Sequence, residues 1–247
     1  MDRRISVAFL PKLAAQDSVC GATVVVTDVL RATTTMISAL VNGASEIIPT
    51  PDIPTALQLK SDLGANVVLG GERGGVIIPG FHNGNSPREF TRAVIGGKRL
   101  VLCTTNGTVA IESCRAANQV LIGAFVNLGA VAQRVGQSSR LLIVCAGTDG
   151  QITAEDALFA GALIDRLLSE DASWDLDDQA QIAFGCWQAA MRRMVAGEPL
   201  AKILGQGLGG RNLRKLKYDD DIQFCAQIDI LPHVPQLDLE RWSIRLR

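Results

Sequence analysis

A short strand, a polar turn and a helix, in that order, constrain this chain most strongly. Val24 to Val26 is a run of β-branched residues, which is typical of a strand covered on both faces of a parallel sheet. Asp28 and Arg31 follow directly. Thr33 to Thr35, of a residue type common at helix caps, then precede helical spacing from Met36. We therefore predict that the strand's carboxyl end and the helix's free N–H groups face a ligand.

Asp28 and Arg31 have the chemistry that a site for an anionic ligand needs. A carboxylate at a strand tip can hold a hard cation. A guanidinium can donate two hydrogen bonds to the oxygens of a phosphate or sulfonate. The alternative is an ordinary strand–helix turn in which Asp28 and Arg31 pair with each other, and the sequence leaves both interpretations open.

The same order of elements returns later in the chain. A strand over Arg99–Cys103 leads into the turn Thr104-Thr-Asn-Gly-Thr108, a helix over 109–117 and a strand over 119–122. Internal repeats of this kind suggest a duplicated unit. We predict an α/β fold of three layers, α/β/α, with a mainly parallel sheet and an internal pseudo-repeat of strand–loop–helix units. Ligands bind at the carboxyl ends of strands in such sheets.

The remaining patterns complete this fold. The chain is expected to form a single domain of two similar, interlocked halves, about 1–98 and 99–247. Residues after Pro235 give no signal for regular structure, and 205–211 is predicted as a glycine-rich turn. Further strands are predicted at 5–10, 46–48, 67–69 and 141–145, and further helices at 53–63, 88–95, from about 127, 153–168, 182–195 and 222–230.

The segment from Gly70 to Glu89 is predicted to be a long functional loop, because structureless segments of this length are uncommon in compact domains. Glu72 and Arg73 are flanked by four glycines, which allow a ligand to approach the backbone closely. Ser86 fits two roles equally well: a ligand contact, or a helix cap in a capping box with Glu89.

Two acidic groups occur in the second half of the chain. Glu155 and Asp156 follow a strand and open a helix, where acids are favoured in any case. Asp156 fits a capping box with Thr153, so Glu155 has the better claim to a cation. Asp219 to Asp221 is interpreted as a helix start or a solvated turn in preference to a metal site.

Several ordered blocks together resemble the 2-phosphosulfolactate phosphatase family across nearly the whole chain. These blocks are Asp28–Thr35, Gly70–Gly75, Gly80–Pro87, Thr104–Thr108, Cys145–Gly147 with Glu155-Asp156, and Cys225–Asp229. The resemblance implies a magnesium-dependent enzyme that hydrolyses 2-phosphosulfolactate to 3-sulfolactate and phosphate, a step toward coenzyme M. His82-Asn83 departs from the family pattern, which leaves another small 2-phospho-acid open as the substrate. A binder of small phosphorylated or sulfonated acids without turnover is the alternative from another class.

The resemblance and the inventory of side chains together predict the site. The predicted catalytic residues are Asp28, Arg31, Glu72 and Arg73. The predicted magnesium ligands are Asp28, Glu72 and Glu155. The predicted substrate-binding residues are Thr33, Thr34, Asn85, Ser86, Thr104, Thr105, Asn106, Gly107, Thr108 and Gly147. A metal-activated water is the favoured nucleophile, with attack by Asp28 as the alternative.

Composition excludes several other classes of protein. The 247 residues carry a formal net charge of −1 and 4% aromatic residues, which argues against partners such as nucleic acids or membrane surfaces. Two histidines exclude a histidine-rich metal centre, and six cysteines without a C-x-x-C pair argue against structural zinc or a disulfide framework. We expect a small anionic substrate, a cytoplasmic location and, as the commonest assembly, a homodimer.

Overall fold

The computed structural model describes residues 3–246 as one large sheet with helices on both faces. The strands are Arg3–Ala8 (β1), Thr23–Thr27 (β2), Glu46–Pro49 (β3), Val67–Arg73 (β4), Val76–Ile77 (β5), Arg99–Cys103 (β6), Gln119–Gly123 (β7), Arg140–Cys145 (β8), Trp174–Leu176 (β9), Pro235–Asp238 (β10) and Ser243–Leu246 (β11). The helices are Gln16–Val19 (α1), Ala32–Val41 (α2), Ile53–Leu63 (α3), Arg92–Ile95 (α4), Gly107–Glu112 (α5), Leu128–Val135 (α6), Ala154–Glu170 (α7), Asp178–Val195 (α8), Leu200–Leu204 (α9), Leu208–Lys215 (α10) and Asp219–Cys225 (α11).

The strand order is β5-β4-β6-β3-β11-β10-β7-β2-β8-β1-β9. Strands β4, β6 and β3 are parallel to one another, and so are β7, β2, β8, β1 and β9. The antiparallel hairpin β10–β11 joins the two groups. The mainly parallel sheet is therefore confirmed.

The sheet also displays the predicted pseudo-repeat. The units β2-α2-β3-α3-β4 and β6-α5-β7-α6-β8 occupy equivalent places on either side of the hairpin. In each unit one strand separates the first strand, β2 or β6, from the hairpin. The next strand of the unit, β3 or β7, belongs to the other parallel group and lies directly beside the hairpin there. The division of the chain into halves at about residue 98 stays a prediction.

The strands bury both of their faces, which gives the predicted three layers. Val24 and Val26 of β2 pack into a core with α2 and α5, whereas Val25 faces a second core with α6, α7 and α8. A smaller core lies between α3 and the strands β4 and β6. This alternation follows from the period of two along a strand, and it explains why the β-branched run is apolar throughout.

The prediction of no regular structure after Pro235 is wrong, because Pro235 begins β10. Leu237 and Ile244 are 2% and 0% exposed and pair with Val120 and Ile47. The hairpin thus closes the middle of the sheet. Its four-residue strands are too short for a periodicity signal, and their place is set by contacts with distant strands.

Several other predicted boundaries need correction. Helix α2 begins at Ala32 with Arg31 at the N-cap, so Thr33 to Thr35 lie inside the helix and do not cap it. Ser86 caps no helix, because α4 begins only at Arg92. Three segments also differ from prediction: β4 continues to Arg73 and is followed by the short β5 at 76–77, 208–215 is helical, and α5 ends at residue 112.

The membrane and disulfide expectations can be compared with the structure directly. Within residues 3–246 no helix has both the length and the apolar character needed to cross a membrane. All six cysteines are free.

Candidate active site

One pocket, of about 90 Å³, collects residues that follow β2, β4, β6 and β8. The turns after these strands supply acids, amides and hydroxyls, and α10 closes the opposite side. The lining residues are Asp28, Leu30, Arg31, Glu72, Gly74, Gly75, Asn85, Thr105, Asn106, Thr148, Asp149, Gly209, Asn212, Leu213 and Leu216.

Asp28 lies where α2 and α5 begin side by side. Its Oδ1 accepts a hydrogen bond from the backbone N–H of Ala32 at 3.2 Å, and the residue is 7% exposed. A Cβ atom on Gly107 would lie 2.5 Å from Ala32 Cβ and 2.8 Å from Asp28 Oδ2. Gly107 is therefore a packing residue, because only a residue without a side chain allows the two helix starts to approach this closely.

Glu72 ties the end of β4 to the turn after β6. Its Oε2 accepts from the N–H of Gly75 at 2.8 Å, and its Oε1 accepts from the N–H of Thr105 at 2.8 Å. Gly74 and Gly75 have φ angles of 59° and 82°, in the left-handed region that glycine enters without strain. The glycine-rich sequence thus lets the chain turn back so that its N–H reaches the carboxylate.

Buried acids lie close together behind the pocket. Burial raises the pKa of Asp28 well above its ordinary value, and the charge of Asp156 raises it further. Burial and then the charge of Glu155 raise the pKa of Asp156 to about 8. Burial raises the pKa of Glu155 to about 7, and the charge of Asp28 adds to that shift. The common cause is negative charge held away from water.

Asp156 connects two loops of the site. Its carboxylate accepts from the N–H of Val29 at 2.9 Å and from the N–H of Gly147 at 3.0 Å. It therefore fixes the turns after β2 and β8 relative to each other. The capping contact predicted from the sequence, between Asp156 and Thr153, is longer, at 3.4 Å.

Glu155 points toward the beginning of α10. Its Oε2 is buried and has no hydrogen-bond partner within residues 3–246. A Cβ on Gly207 would lie 2.7 Å from that oxygen, and a Cβ on Gly209 would overlap Oε1. Glu155 does not line the pocket, unlike the two other predicted metal ligands. In the described part of the chain, no three His, Cys, Asp or Glu side chains are grouped as a ready metal site.

Arg31 lines the pocket, but its ion-pair partner is not Asp28. Its Nη1 lies 2.6 Å from Asp221 Oδ2, and its Nη2 donates to the carbonyl of Gly75 at 3.0 Å. The ring of Tyr218 covers the guanidinium at 4.3 Å. The structural pair considered from the sequence does not form, because Asp221 of α11 takes that place.

Arg73 is exposed and does not line the pocket. Its guanidinium donates to the carbonyl oxygen of Glu72 at 2.8 Å and contacts Cys103 Sγ at 3.1 Å. Arg73 therefore lies beside Glu72 but outside the pocket lining that Asp28, Arg31 and Glu72 share. His82 and Asn83, which depart from the family pattern, also lie outside the pocket lining.

Most of the predicted hydroxyls hold the backbone. Thr33 and Thr34 donate to the carbonyls of Asp28 and Val29 at 2.9 Å each. The hydroxyl of Thr108 donates to the carbonyl of Thr104 at 2.8 Å, and Thr104 Oγ1 in turn accepts from the N–H of Thr108. None of these threonines lines the pocket, and neither does Gly147.

Three predicted substrate-binding residues do line the pocket with polar side chains. The Oδ1 of Asn85 and the Oγ1 of Thr105 are buried without a hydrogen-bond partner in the described chain. Asn106 lies beside Thr105, and its Oδ1 accepts from the N–H of Asp149 at 3.1 Å. Because buried polar atoms are rarely left unpaired, Asn85 and Thr105 are suited to bind a polar ligand.

Sequence reasoning missed part of the site. The residues not predicted are Leu30, Gly74, Gly75, Thr148, Asp149, Asp156, Gly209, Asn212, Leu213, Leu216 and Asp221. Those from α10 and α11 lie far along the chain from the strand tips, and local patterns carry no information about that approach. The acidic run 219–221 was the one available signal, and it was interpreted as a helix start.

The fold and pocket together define a class of protein. A small polar pocket at the carboxyl ends of strands, with acids, an arginine and two helix starts, is typical of α/β enzymes that act on small anions.

Comparisons with known proteins identify the family within that class. A family model described as 2-phosphosulpholactate phosphatase matches residues 8–240. A probable 2-phosphosulfolactate phosphatase of Thermotoga maritima is 38% identical over 215 residues, which cover 87% of this chain and 88% of that protein. A protein of the same name from Carboxydothermus hydrogenoformans is 36% identical over 240 residues, which cover 96% of this chain and 94% of that protein. The chain belongs to the 2-phosphosulpholactate phosphatase family, a family of phosphoric monoester hydrolases, which confirms the family predicted from the motifs.

Proposed function

We propose that this protein hydrolyses the phosphate monoester of 2-phosphosulfolactate to 3-sulfolactate and phosphate with the help of Mg²⁺, a reaction of the coenzyme M biosynthesis type. The family assignment and the named relatives support the substrate. The pocket supports it chemically, because Arg31, Asn85 and Thr105 offer donors and acceptors to a small oxyanion. A cytoplasmic location and a homodimer stay predictions.

The observation that carries the metal requirement is the charge around the pocket. Among residues 3–246, five acidic side chains are buried at or behind the pocket, whereas one guanidinium is buried there, that of Arg31; the acids are Asp28, Glu72, Glu155, Asp156 and Asp221. A phosphomonoester carries close to two negative charges, so the substrate and the ionised forms of these acids would repel each other. A divalent cation removes that conflict.

Asp28 and Glu72 are the proposed ligands, because both line the pocket and Mg²⁺ commonly takes one or two carboxylates together with water and phosphate oxygens. Such a site does not need a cage of three side chains. A bound Mg²⁺ would supply charge neutralisation and a water of lowered pKa as the nucleophile. Arg31 would bind oxygens of the substrate, and Asn85 and Thr105 would hold its polar atoms, so that positioning supplies much of the catalysis.

The test is phosphate release from 2-phosphosulfolactate and from 2-phospholactate, each with Mg²⁺ and with EDTA. We expect fast release from the sulfonate, its loss in EDTA and its recovery with added Mg²⁺. Release from both substrates would mean that the site does not require the sulfonate. No release from either substrate by folded protein would contradict a phosphatase and favour a binding protein.

A further inference from the structure

Asp221 occupies an unusual position for a residue of an acidic surface run. Its side chain is 2% exposed, and so is that of its partner Arg31. One carboxylate oxygen lies 2.6 Å from Arg31 Nη1, and the other accepts from the hydroxyl of Ser86 at 2.7 Å. Both oxygens of Asp221 are therefore engaged, each by a side chain that comes from a different loop of the site.

The neighbouring residue shows what an ordinary member of this run does. Asp220 forms an ion pair with Arg88 at 2.8 Å, with side chains that are 73% and 52% exposed. Exposed pairs of this kind contribute little. Asp221 is different because a buried charge must be paired, and its pairing with Arg31 is complete.

Arg31 has other carboxylates within the same pocket. Asp28 and Glu72 both line it, and the charge of Arg31 lowers the pKa of Asp28 against the larger effects of burial and Asp156. Without Asp221, the guanidinium would be drawn toward those two acids, which the proposed metal ion needs. Asp221, the carbonyl of Gly75 and the ring of Tyr218 hold the guanidinium in its observed position.

We propose that Asp221 is a positioning residue that holds the guanidinium of Arg31 against the pocket wall, where it can receive an anionic group of the substrate and cannot pair with Asp28 or Glu72. This inference rests on the proposed function. A guanidinium has five N–H donors, and the bonds to Asp221 and Gly75 leave N–H groups for a ligand. The bond from Ser86 orients the Asp221 carboxylate and ties it to the loop that carries Asn85.

The first test compares Asp221→Asn with Asp220→Asn. Asparagine keeps an oxygen for Ser86 but removes the charge that holds Arg31. We expect kcat/KM for 2-phosphosulfolactate to fall about 100-fold in Asp221→Asn, the size expected for misplacing a binding group by about 1 Å, with most of the loss in KM. Asp220→Asn should stay within about twofold of the wild type, because its pair is exposed.

The second test includes a double variant that removes both charges of the buried pair. Arg31→Ala is assayed with and without millimolar guanidinium, and so is the double variant Arg31→Ala/Asp221→Asn. We expect guanidinium to restore activity in the single variant, because Asp221 still binds the added ion, and to restore none in the double variant. A purely structural role of Asp221 would not produce this difference, and circular dichroism confirms that each variant is folded.

The outcomes separate the two proposals. An inactive wild type contradicts the proposed function, and the positioning role that rests on that function falls with it. An active wild type in which Asp221→Asn behaves like Asp220→Asn, or in which guanidinium rescues both Arg31 variants equally, overturns the positioning role alone. A selective loss together with rescue that depends on Asp221 supports it.

Discussion

Asp28 lies at a buried position where an ionised carboxylate lowers the stability of the folded protein. Burial and the nearby Asp156 raise its pKa, and within residues 3–246 only the N–H of Ala32 makes a hydrogen bond to its carboxylate. A residue selected for stability alone would be neutral at this position. The position is explained if a cation binds there, because binding sites commonly retain groups that destabilise the empty protein.

Asp28→Asn is therefore expected to change activity and stability in opposite directions. Activity should fall at least about 100-fold, because a charge that the reaction uses is lost. The metal-free variant should be more stable than the wild type at neutral pH by on the order of 1 kcal/mol, since one pKa unit corresponds to about 1.4 kcal/mol. Phosphate release and urea unfolding in EDTA measure the two effects.

Asp62→Asn is the matched control for this substitution, because Asp62 is exposed and accepts a hydrogen bond from Gln58 on the same helix. It should leave activity unchanged and shift stability by less than about 0.5 kcal/mol. If Asp28→Asn lowers the free energy of unfolding of the metal-free protein, the charge of Asp28 does not destabilise the fold, which contradicts this prediction.

The sequence predicts residues at strand tips better than their partners. Asp28, Arg31 and Glu72 could be found because each lies just after a buried strand or in a glycine-rich segment, and all three line the pocket. Asp221 could not be found in this way, because 190 residues separate it from Arg31 and only the packing of α11 brings them together. Hydroxyls were over-predicted for a related reason: Thr33 satisfies the backbone next to it.

At the scale of elements, the site depends on the contact between the starts of α2 and α5. Gly107 allows this contact, since a Cβ there would collide with Ala32 and press on Asp28. The two helices cannot move apart without exposing apolar side chains, because Met36 and Ile111 are fully buried in the core that the helices share. The glycine thus links the packing of the pseudo-repeat to the geometry of the site.

Gly107→Ala is expected to destabilise the protein by about 1–3 kcal/mol through overpacking, and to lower kcat/KM at least about tenfold because Asp28 moves. Gly185→Ala is the matched control, since a Cβ at this position in α8 meets nothing within 4 Å. That control should stabilise the protein by up to about 1 kcal/mol, because alanine favours a helix over glycine, with activity unchanged. Thermal melts and steady-state kinetics on both variants check the pair, and equal effects would refute the close contact.

Elements with a local signal were predicted well, and those without one were not. The β-branched run from Val24 and the helix over Ile53–Leu63 are confirmed almost residue for residue. The hairpin β10–β11 could not be predicted from local patterns, because its stability comes from pairing with β7 and β3, which lie more than a hundred residues earlier. The same reason explains why α10, a wall of the pocket, was predicted as a turn.

At the scale of the whole molecule, the two parallel groups of strands and α7 place several acids in one buried region. Asp156 and Glu155 have pKa values raised to about 8 and about 7, from ordinary values near 4. At pH values between the ordinary and the raised pKa of each acid, the folded protein binds more protons than the unfolded chain. Stability must therefore fall as pH rises through this range, by up to about 1.4 kcal/mol per pH unit for each such group.

We therefore expect the free energy of unfolding in EDTA to decrease from pH 5 to pH 8, the reverse of the trend for carboxylates in favourable ion pairs, whose stabilisation is lost toward acid. Added Mg²⁺ should stabilise the protein more at pH 8 than at pH 5, because a cation binds the ionised acids and competes with protons. Urea unfolding at four pH values, with EDTA and with Mg²⁺, measures both slopes. Asp156→Asn should flatten the EDTA slope, because it removes one of the titrating groups. If the metal-free protein instead becomes more stable from pH 5 to pH 8, ionisation of these acids does not destabilise the fold. That result would contradict the electrostatic argument for a cation in the pocket.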